Sequence, residues 1–145
     1  MNQGVIDASV ALKWFLPDEA EGKKALDLLE GYLNGKVSLI CPALLGYEVL
    51  NGLILAGRRG RIPKEIIETA FEGFLQLGIA IKDPFSCYSK LIRYCLPANL
   101  TAYDASYLVL AEAEKIPLIT ADEKLIRAVG KEFSWITRLM DFRIS

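Results

Sequence analysis

Short apolar segments that alternate with longer amphipathic ones are the feature that most restricts the fold of this chain. The strand candidates cover residues 4–6, 37–41, 79–81, 117–120 and 135–139. Helical spacing of apolar residues, with flanking Pro and Gly, predicts helices over 9–15, 18–33, 42–56, 63–78, 85–96, 101–115 and 122–129. Because short apolar strands separated by helices are typical of parallel sheets, we expect an α/β domain with helices on both faces of its sheet.

The size and composition of the chain predict one domain. With 145 residues, of which 52% are apolar, residues 1–145 can bury one ordinary core. The cysteines at positions 41, 87 and 95 are odd in number and form no Cys-x-x-Cys pair, which favours reduced thiols in a cytoplasmic protein. The first residues do not resemble a secretion signal, and no apolar run predicts a membrane helix.

The chain contains no histidine, and this absence restricts its chemistry. A Ser-His-Asp triad, a Cys-His pair, a His-ligated zinc site and histidine acid/base catalysis all need the missing ring. With 17 Lys plus Arg and 18 Asp plus Glu, the net charge of −1 gives no support for non-specific coating of nucleic acid. Catalysis would therefore have to use carboxylates, hydroxyls, thiols, lysines or a bound metal.

Three aspartates lie at junctions where a helix begins. Asp7 follows the first predicted strand, Asp122 follows the fourth, and Asp104 stands three residues after Thr101. Each has an ordinary alternative, since Asp7 and Asp122 suit a helix N-cap and Asp104 suits the first turn of a helix. Taken singly, each aspartate is better explained by capping than by a ligand role.

Glu48 differs because the helix that carries it is apolar on almost all sides. Between residues 41 and 56 it is the only carboxylate, and Asn51 is the only carboxamide. A carboxylate in the middle of such a helix has no cap to serve, and its burial without a partner is costly, so a buried ion pair or an exposed edge position is the structural alternative. The other apolar residues of this helix favour either a central position or a subunit interface.

One Mg²⁺ or Mn²⁺ site would explain all four acids together. These ions prefer oxygen ligands and keep several waters. Two such ions can activate water and stabilise the leaving oxygen of a phosphodiester without any histidine. We therefore predict that Asp7, Glu48, Asp104 and Asp122 bind metal and carry catalysis. Short polar side chains are placed to hold waters or orient the carboxylates: Ser9, Asn51 and Thr120.

Four motifs in register resemble the PIN domain, and especially the VapC toxins of toxin–antitoxin pairs. They are Val-Ile-Asp-Ala-Ser-Val-Ala-Leu-Lys-Trp-Phe at 5–15, Pro42 with Tyr-Glu-Val-Leu-Asn at 47–51, Leu-Thr-Ala-Tyr-Asp-Ala-Ser-Tyr-Leu-Val-Leu-Ala at 100–111, and Pro-Leu-Ile-Thr-Ala-Asp-Glu-Lys-Leu at 117–125. The resemblance implies a three-layer α/β/α fold with a parallel five-stranded sheet. It further implies a metal-dependent endoribonuclease, frequent homodimers and inhibition by a cognate antitoxin.

The resemblance also implies roles for individual residues. Asp7, Glu48 and Asp104 match the three core metal-site acids of the family, and Asp122 matches the fourth, more variable one. The accessory hydroxyls of the same motifs are matched by Ser9 and Thr120.

A basic segment follows the helix that carries Glu48. Arg58, Arg59, Arg61 and Lys64 form either a clamp for RNA phosphates or a solvated basic turn. Four aromatic residues are likewise open to two interpretations, base stacking or packing in the core or at a dimer face. They are Trp14, Phe15, Tyr103 and Tyr107.

These residues suggest three possible functions. The first is the metal-dependent endoribonuclease. The second is a non-catalytic RNA- or protein-binding module that keeps the fold. The third, a phosphatase or phospho-acceptor with Asp7 as nucleophile, is disfavoured because position 9 is Ser, where haloacid-dehalogenase-like phosphatases place a second Asp.

Overall fold

The structure is a computed structural model that describes residues 2–145. Five parallel strands form one sheet in the order β3-β2-β1-β4-β5. The strands are β1 (Asn2–Ile6), β2 (Val37–Cys41), β3 (Ala80–Ile81), β4 (Leu118–Thr120) and β5 (Ile136–Arg138). One row of paired residues crosses the whole sheet: Ala80, Ile40, Val5, Leu118 and Ile136. The predicted parallel α/β architecture is confirmed.

Seven α-helices connect and cover the strands within the described residues. They are α1 (Ala8–Ala11), α2 (Gly22–Leu33), α3 (Leu44–Arg58), α4 (Ile67–Gln76), α5 (Tyr88–Ala98), α6 (Ala102–Glu114) and α7 (Glu123–Val129). Short 3₁₀ turns stand at Leu12–Trp14, Lys64–Ile66, Pro84–Cys87 and Leu139–Asp141. The domain thus has three layers, with the sheet between helices. No helix in the described part is long and apolar enough to cross a membrane.

The third strand forms within its predicted range, but it is short and exposed. Residues 79–81 supply only the two-residue strand β3, and both Ala80 and Ile81 are exposed. The reason is its place in the sheet, because β3 is an edge strand paired with β2 alone. An edge position cannot be inferred from the apolar character of three residues.

Some helix boundaries differ from their predictions because the apolar pattern does not reveal why a glycine is present or which backbone angles a residue adopts. Helix α3 continues to Arg58 and does not stop at Gly57. Gly57 lies inside the helix, and a Cβ there would lie 2.6 Å from Cδ1 of Ile67, so the glycine leaves room for this side chain of α4. The chain leaves the helix at Gly60, which has the left-handed φ of +71° that glycine adopts readily.

The first two helices are also shorter than predicted. Residues 9–15 divide into the single turn of α1 and a 3₁₀ turn. Helix α2 begins at Gly22 and not at residue 18, because the preceding Glu21 adopts a left-handed φ of 63° that cannot continue a right-handed helix.

The core is centred on β1, β4, α3 and α6. In α3 the side chains of Leu45, Val49 and Leu53 are fully buried, so its apolar composition reflects a central helix. In α6 every residue from position 105 to 111 is buried. Two acidic side chains of the predicted site, Glu48 and Asp104, are carried by these two helices.

Candidate functional site

The predicted site lies at the carboxyl ends of the two central strands. The strand order reverses direction at β1, since β2 lies on one side of it and β4 on the other. Open parallel sheets bind ligands outside the strand ends at such a switch point. Asp7 directly follows β1 and Asp122 stands two residues after β4, so both acids border this point.

The carboxylate of Asp7 is held by two hydroxyl groups. Ser9 Oγ donates to Oδ1 at 2.5 Å, and Thr120 Oγ1 donates to Oδ2 at 2.5 Å. Asp7 occupies the N-cap position of α1, yet its side chain makes no capping hydrogen bond. The capping interpretation therefore does not account for this carboxylate.

The two hydroxyls also join the ends of β1 and β4. Each hydroxyl gives its single hydrogen to Asp7, so its oxygen is left to accept from the backbone. Ser9 Oγ accepts from the N–H of Ala121 at 2.9 Å, and Thr120 Oγ1 accepts from the N–H of Asp122 at 3.0 Å. Both oxygens predicted to be accessory groups thus fix the position of Asp7.

Asp7 is a charged group in an unfavourable environment. Its side chain is only 6% exposed. Burial raises the pKa of Asp7 from its usual 3.8 to about 6, and the charge of Asp122 raises it further, while the hydrogen bonds from Ser9 and Thr120 partly offset both effects. A bound cation would stabilise the charged carboxylate and so oppose this shift.

Glu48 finds a neutral partner in Tyr107. The phenol of Tyr107, on α6, donates a hydrogen bond to Oε1 of Glu48, on α3. Burial raises the pKa of Glu48, the hydrogen bond from Tyr107 lowers it, and the nearby charge of Asp104 raises it. The buried ion pair considered as the alternative is thus absent among the described residues.

Asp104 lies in the first turn of α6, which Thr101 caps. The side chain of Thr101 accepts from the backbone N–H of Asp104 at 3.1 Å. Burial and the charge of Asp122 raise the pKa of Asp104, and the Thr101 hydroxyl lowers it. The cap is therefore Thr101, which leaves the carboxylate of Asp104 beside the other acids.

Asp122 is the one acid that does cap a helix. Its Oδ1 accepts from the N–H of Leu125 at 3.2 Å, so Asp122 is the N-cap of α7. Its charge nevertheless raises the pKa of both Asp7 and Asp104. Capping and membership of the acidic cluster are compatible here, since the capping bond uses a single oxygen.

The charges of the four acids raise one another's pKa values through a chain of pairs. Asp122 acts on Asp7 and on Asp104, and Asp104 acts on Glu48. In residues 2–145 no Lys or Arg forms an ion pair with any of them. Four neighbouring carboxylates without a protein cation are a donor set that suits a hard divalent ion.

The side chains do not form a closed metal cage. Within the described chain, no three Asp, Glu, Cys or His side chains converge as a ready-made metal site. Mg²⁺ does not require such a cage, because it usually keeps several waters and binds through one or two carboxylates together with substrate phosphates. The residues therefore fit a partly hydrated ion better than a fully protein-coordinated one.

An open cleft borders Glu48. It has a volume of about 350 Å³ and is lined by Leu44, Tyr47, Glu48, Asn51 and Tyr103. Asn51 and Tyr103 are exposed, so both can contact a ligand in this cleft. Of the other aromatic candidates, Trp14 and Phe15 pack against the core and Tyr107 is buried within it.

One cation of the basic segment is ion-paired, and the other three are exposed. The guanidinium of Arg61 donates to Asp18 at 2.8 Å and to Glu19 at 2.7 Å, so its charge is already compensated inside the protein. Arg58, Arg59 and Lys64 are exposed and form no ion pair with another described residue. Their contact with RNA stays a prediction.

The role of Tyr107 was not recognised from the sequence, which left base stacking and packing as its alternatives. The available signal was its position three residues after Asp104 on an apolar helix, which places both side chains on one face. The sequence does not reveal the hydrogen-bond partner of Tyr107, because Glu48 is 59 residues away in the chain.

Comparisons with known proteins identify the family and support the fold. The family model described as "PIN domain" matches residues 4–131. "Ribonuclease VapC1" of Mycobacterium tuberculosis is 34% identical over 134 residues, which cover 90% of this chain and 93% of that protein. "VapC ribonuclease Mb0985" of Mycobacterium bovis is 31% identical over 121 residues, covering 83% and 87%. Among solved structures, "Crystal structure of PAE2754 from Pyrobaculum aerophilum" aligns with a TM-score of 0.65 at 24% identity, covering 96% and 92%.

Proposed function

The chain belongs to the PIN domain family, and from this premise we propose that it is a divalent-metal-dependent endoribonuclease that hydrolyses RNA phosphodiester bonds. One observation carries the proposal: repulsion links Asp122 to Asp7 and Asp104, and Asp104 to Glu48, and no cation of the described protein is paired with these four acids. The names of the relatives, which are ribonucleases, support RNA as the substrate.

The acids would hold Mg²⁺ or Mn²⁺, which supplies activation of water and stabilisation of the leaving oxygen. Asp7, Glu48, Asp104 and Asp122 provide the oxygen ligands. Ser9 and Thr120 keep the carboxylate of Asp7 in one orientation, and Tyr107 contacts that of Glu48. Asn51 is exposed in the cleft beside Glu48, where it can hold a water or a polar group of the substrate.

We also propose that the protein is the toxin of a type II toxin–antitoxin pair, acts in the cytoplasm and is inhibited by a cognate antitoxin. The support is the similarity to VapC-type ribonucleases over most of both chains. An adjacent short reading frame that encodes a small DNA-binding protein would identify the partner. Co-expression of that protein should relieve growth inhibition caused by this chain, and failure to do so would contradict the pairing.

A homodimer is the assembly that we propose. The exposed face of α5 and the turn before it carries a row of large apolar side chains: Phe85, Tyr88, Ile92 and Leu96. Contiguous exposed apolar surface of this kind is typical of interaction sites. The molar mass from light scattering should correspond to two chains. Substitution of Ile92 and Leu96 by Glu should yield a monomer, whereas a monomeric wild type would contradict the proposal.

The test of the activity is cleavage of RNA by the purified protein. Cleavage should need Mg²⁺ or Mn²⁺, stop with EDTA, and fall by several orders of magnitude in Asp104→Asn. Cleavage that survives EDTA or this substitution would exclude the mechanism. The non-catalytic alternative predicts that RNA binding does not depend on metal. The phospho-acceptor alternative predicts a covalent phosphate on Asp7.

A further inference from the structure

Tyr107 lies between the two helices that carry Glu48 and Asp104. It follows Asp104 by three residues on α6, so the two side chains project from neighbouring positions of one helix face. The ring is 2% exposed and is part of the main hydrophobic core. Its hydroxyl is the polar end of an otherwise apolar residue.

This hydroxyl has one partner in the described residues, the Oε1 atom of Glu48. The partner sits on α3, a helix that is apolar on most sides. A phenol has one O–H donor, whereas an ionised carboxylate can only accept, so Tyr107 is the donor of this bond. The contact therefore fixes one oxygen of Glu48 relative to α6.

We propose that Tyr107 is a positioning residue that holds the carboxylate of Glu48 in the orientation needed to bind a divalent metal ion. The inference rests on the proposed function, because it assumes that Glu48 is a metal ligand. It adds a residue whose role neither the family match nor the names of the relatives assign.

A neutral donor suits this task better than a cation. A Lys or Arg beside Glu48 would compensate its charge and compete with the metal, whereas a phenol restrains the side chain and leaves the negative charge in place. The hydrogen bond occupies Oε1 and leaves Oε2 available for a ligand. Asp7 likewise has neutral hydrogen-bond partners, the hydroxyls of Ser9 and Thr120.

The chain offers a matched control for the contact. The hydroxyl of Tyr94, on α5, donates to Oε2 of Glu112, on α6. This pair also joins a tyrosine to a glutamate on another helix, but Glu112 is not among the groups that shift the pKa of Asp7, Glu48 or Asp104. Tyr94→Phe thus removes the same chemical contact from outside the site.

The experiment compares Mn²⁺ affinity in the absence of RNA, by electron paramagnetic resonance of free Mn²⁺ and by isothermal titration calorimetry of the full chain. Removal of a group that orients a metal ligand typically weakens metal binding by roughly 10- to 100-fold, and we expect this loss for Tyr107→Phe. Tyr94→Phe should bind Mn²⁺ like the wild type. Equal affinity in Tyr107→Phe and the wild type would overturn the inference.

A double-mutant cycle with Glu48→Gln separates positioning from a general loss of packing. If Tyr107 acts through Glu48, Tyr107→Phe should have little further effect on Mn²⁺ affinity in the Glu48→Gln protein. A loss of the same size in both backgrounds would assign Tyr107 a structural role and overturn the inference.

The outcomes distinguish this inference from the proposed function. Wild-type protein that binds Mn²⁺ and cleaves RNA, with unaltered binding in Tyr107→Phe, would overturn only the inference. Wild-type protein that binds Mn²⁺ without cleaving RNA, with weakened binding in Tyr107→Phe, would support the inference and contradict the function. Absence of saturable Mn²⁺ binding in the wild type would overturn both.

Discussion

Thr120, the last residue of β4, donates its hydroxyl hydrogen bond to Oδ2 of Asp7, the residue that follows β1. The two residues are 113 positions apart in the chain, and the parallel pairing of β1 with β4 brings them together. The same oxygen of Thr120 accepts from the N–H of Asp122. One hydroxyl therefore connects two of the four acids, and a small change at this position tests the whole arrangement.

Thr120→Val should destabilise the protein. The substitution keeps the shape of the side chain but leaves the buried carboxylate of Asp7 without one donor and the N–H of Asp122 without its acceptor. Unsatisfied buried groups cost about 1–3 kcal/mol, and we expect a loss of this size in the free energy of unfolding, measured by urea denaturation. Thr137→Val, in β5, is the matched control and should change little. Equal stability of both variants would contradict the role of the Thr120 hydroxyl.

Asp7→Asn should stabilise the metal-free protein at neutral pH. The pKa of Asp7 is about 6 in the folded state and 3.8 in its ordinary environment. The folded state therefore binds the proton more tightly, and stability falls as the pH rises from 3.8 to about 6. The charged form costs at most about 3 kcal/mol above this window, and the amide should recover part of it. Urea denaturation at several pH values measures the effect, and Asp141→Asn, at an exposed acid, should not reproduce it.

Addition of Mg²⁺ or Mn²⁺ should stabilise the wild type, because a ligand that binds only the folded state shifts the unfolding equilibrium. At 100 times the Kd the gain is about 2.7 kcal/mol. For a domain of this size we expect a rise in Tm on the order of 8 °C. Differential scanning calorimetry should show a much smaller rise in Asp7→Asn. Equal rises in both proteins would place the stabilising ion elsewhere.

Cys41 should resist alkylation in the native protein. Its thiol is buried, and this burial, with a further effect from the charge of Asp83, raises its pKa to about 12. Because the thiolate is the reactive form, iodoacetamide at pH 8 should modify the partly exposed Cys87 and Cys95 well before Cys41. Mass spectrometry of digested protein identifies the modified sites. Early labelling of Cys41 would indicate that β2 opens readily.

Arg59→Gln and Arg61→Gln should have different effects. Arg59 is exposed and forms no ion pair within residues 2–145, so its loss should weaken RNA binding and reduce the salt-dependence slope by about 1 if it contacts a phosphate. Arg61 connects the turn after α3 to Asp18 and Glu19, so its loss should lower the Tm. Fluorescence anisotropy with labelled RNA and thermal melting measure the two effects. An unchanged slope in Arg59→Gln would favour the solvated-turn interpretation.

The sequence predicted most of the elements because their signals are local. Val37–Cys41 is apolar except for Ser38, and Thr101 and Asp122 are residue types that begin helices; the structure shows all three as predicted. The errors occurred where distant residues decide the outcome. Gly57 has the residue type of a helix end, but contact with Ile67 explains why it is a glycine inside the helix. The predicted strand at 79–81 is present, but its exposure follows from an edge position that the local pattern does not reveal.

In the site, too, the sequence identifies the residues, and only the structure shows what each side chain contacts. Four acids at strand ends and in an apolar helix could be identified from residue type and position. Capping could not be separated from ligand binding in that way: Asp122 does cap α7, whereas the carboxylate of Asp7 is held by hydroxyls. Each distinction depends on which donor lies within about 3 Å, and a donor more than a hundred residues away is invisible to local patterns.

By itself, the sequence determined the fold class, the residue types available for chemistry and the absence of any histidine mechanism, because periodicity and composition are properties of the chain. Only the tertiary structure decided the partners of each acid: Ser9 and Thr120 for Asp7, and Tyr107 for Glu48. The physical reason is that hydrogen bonds and burial depend on distances between atoms. Parallel pairing of β1 with β4 and the packing of α3 near α6 set those distances in this protein.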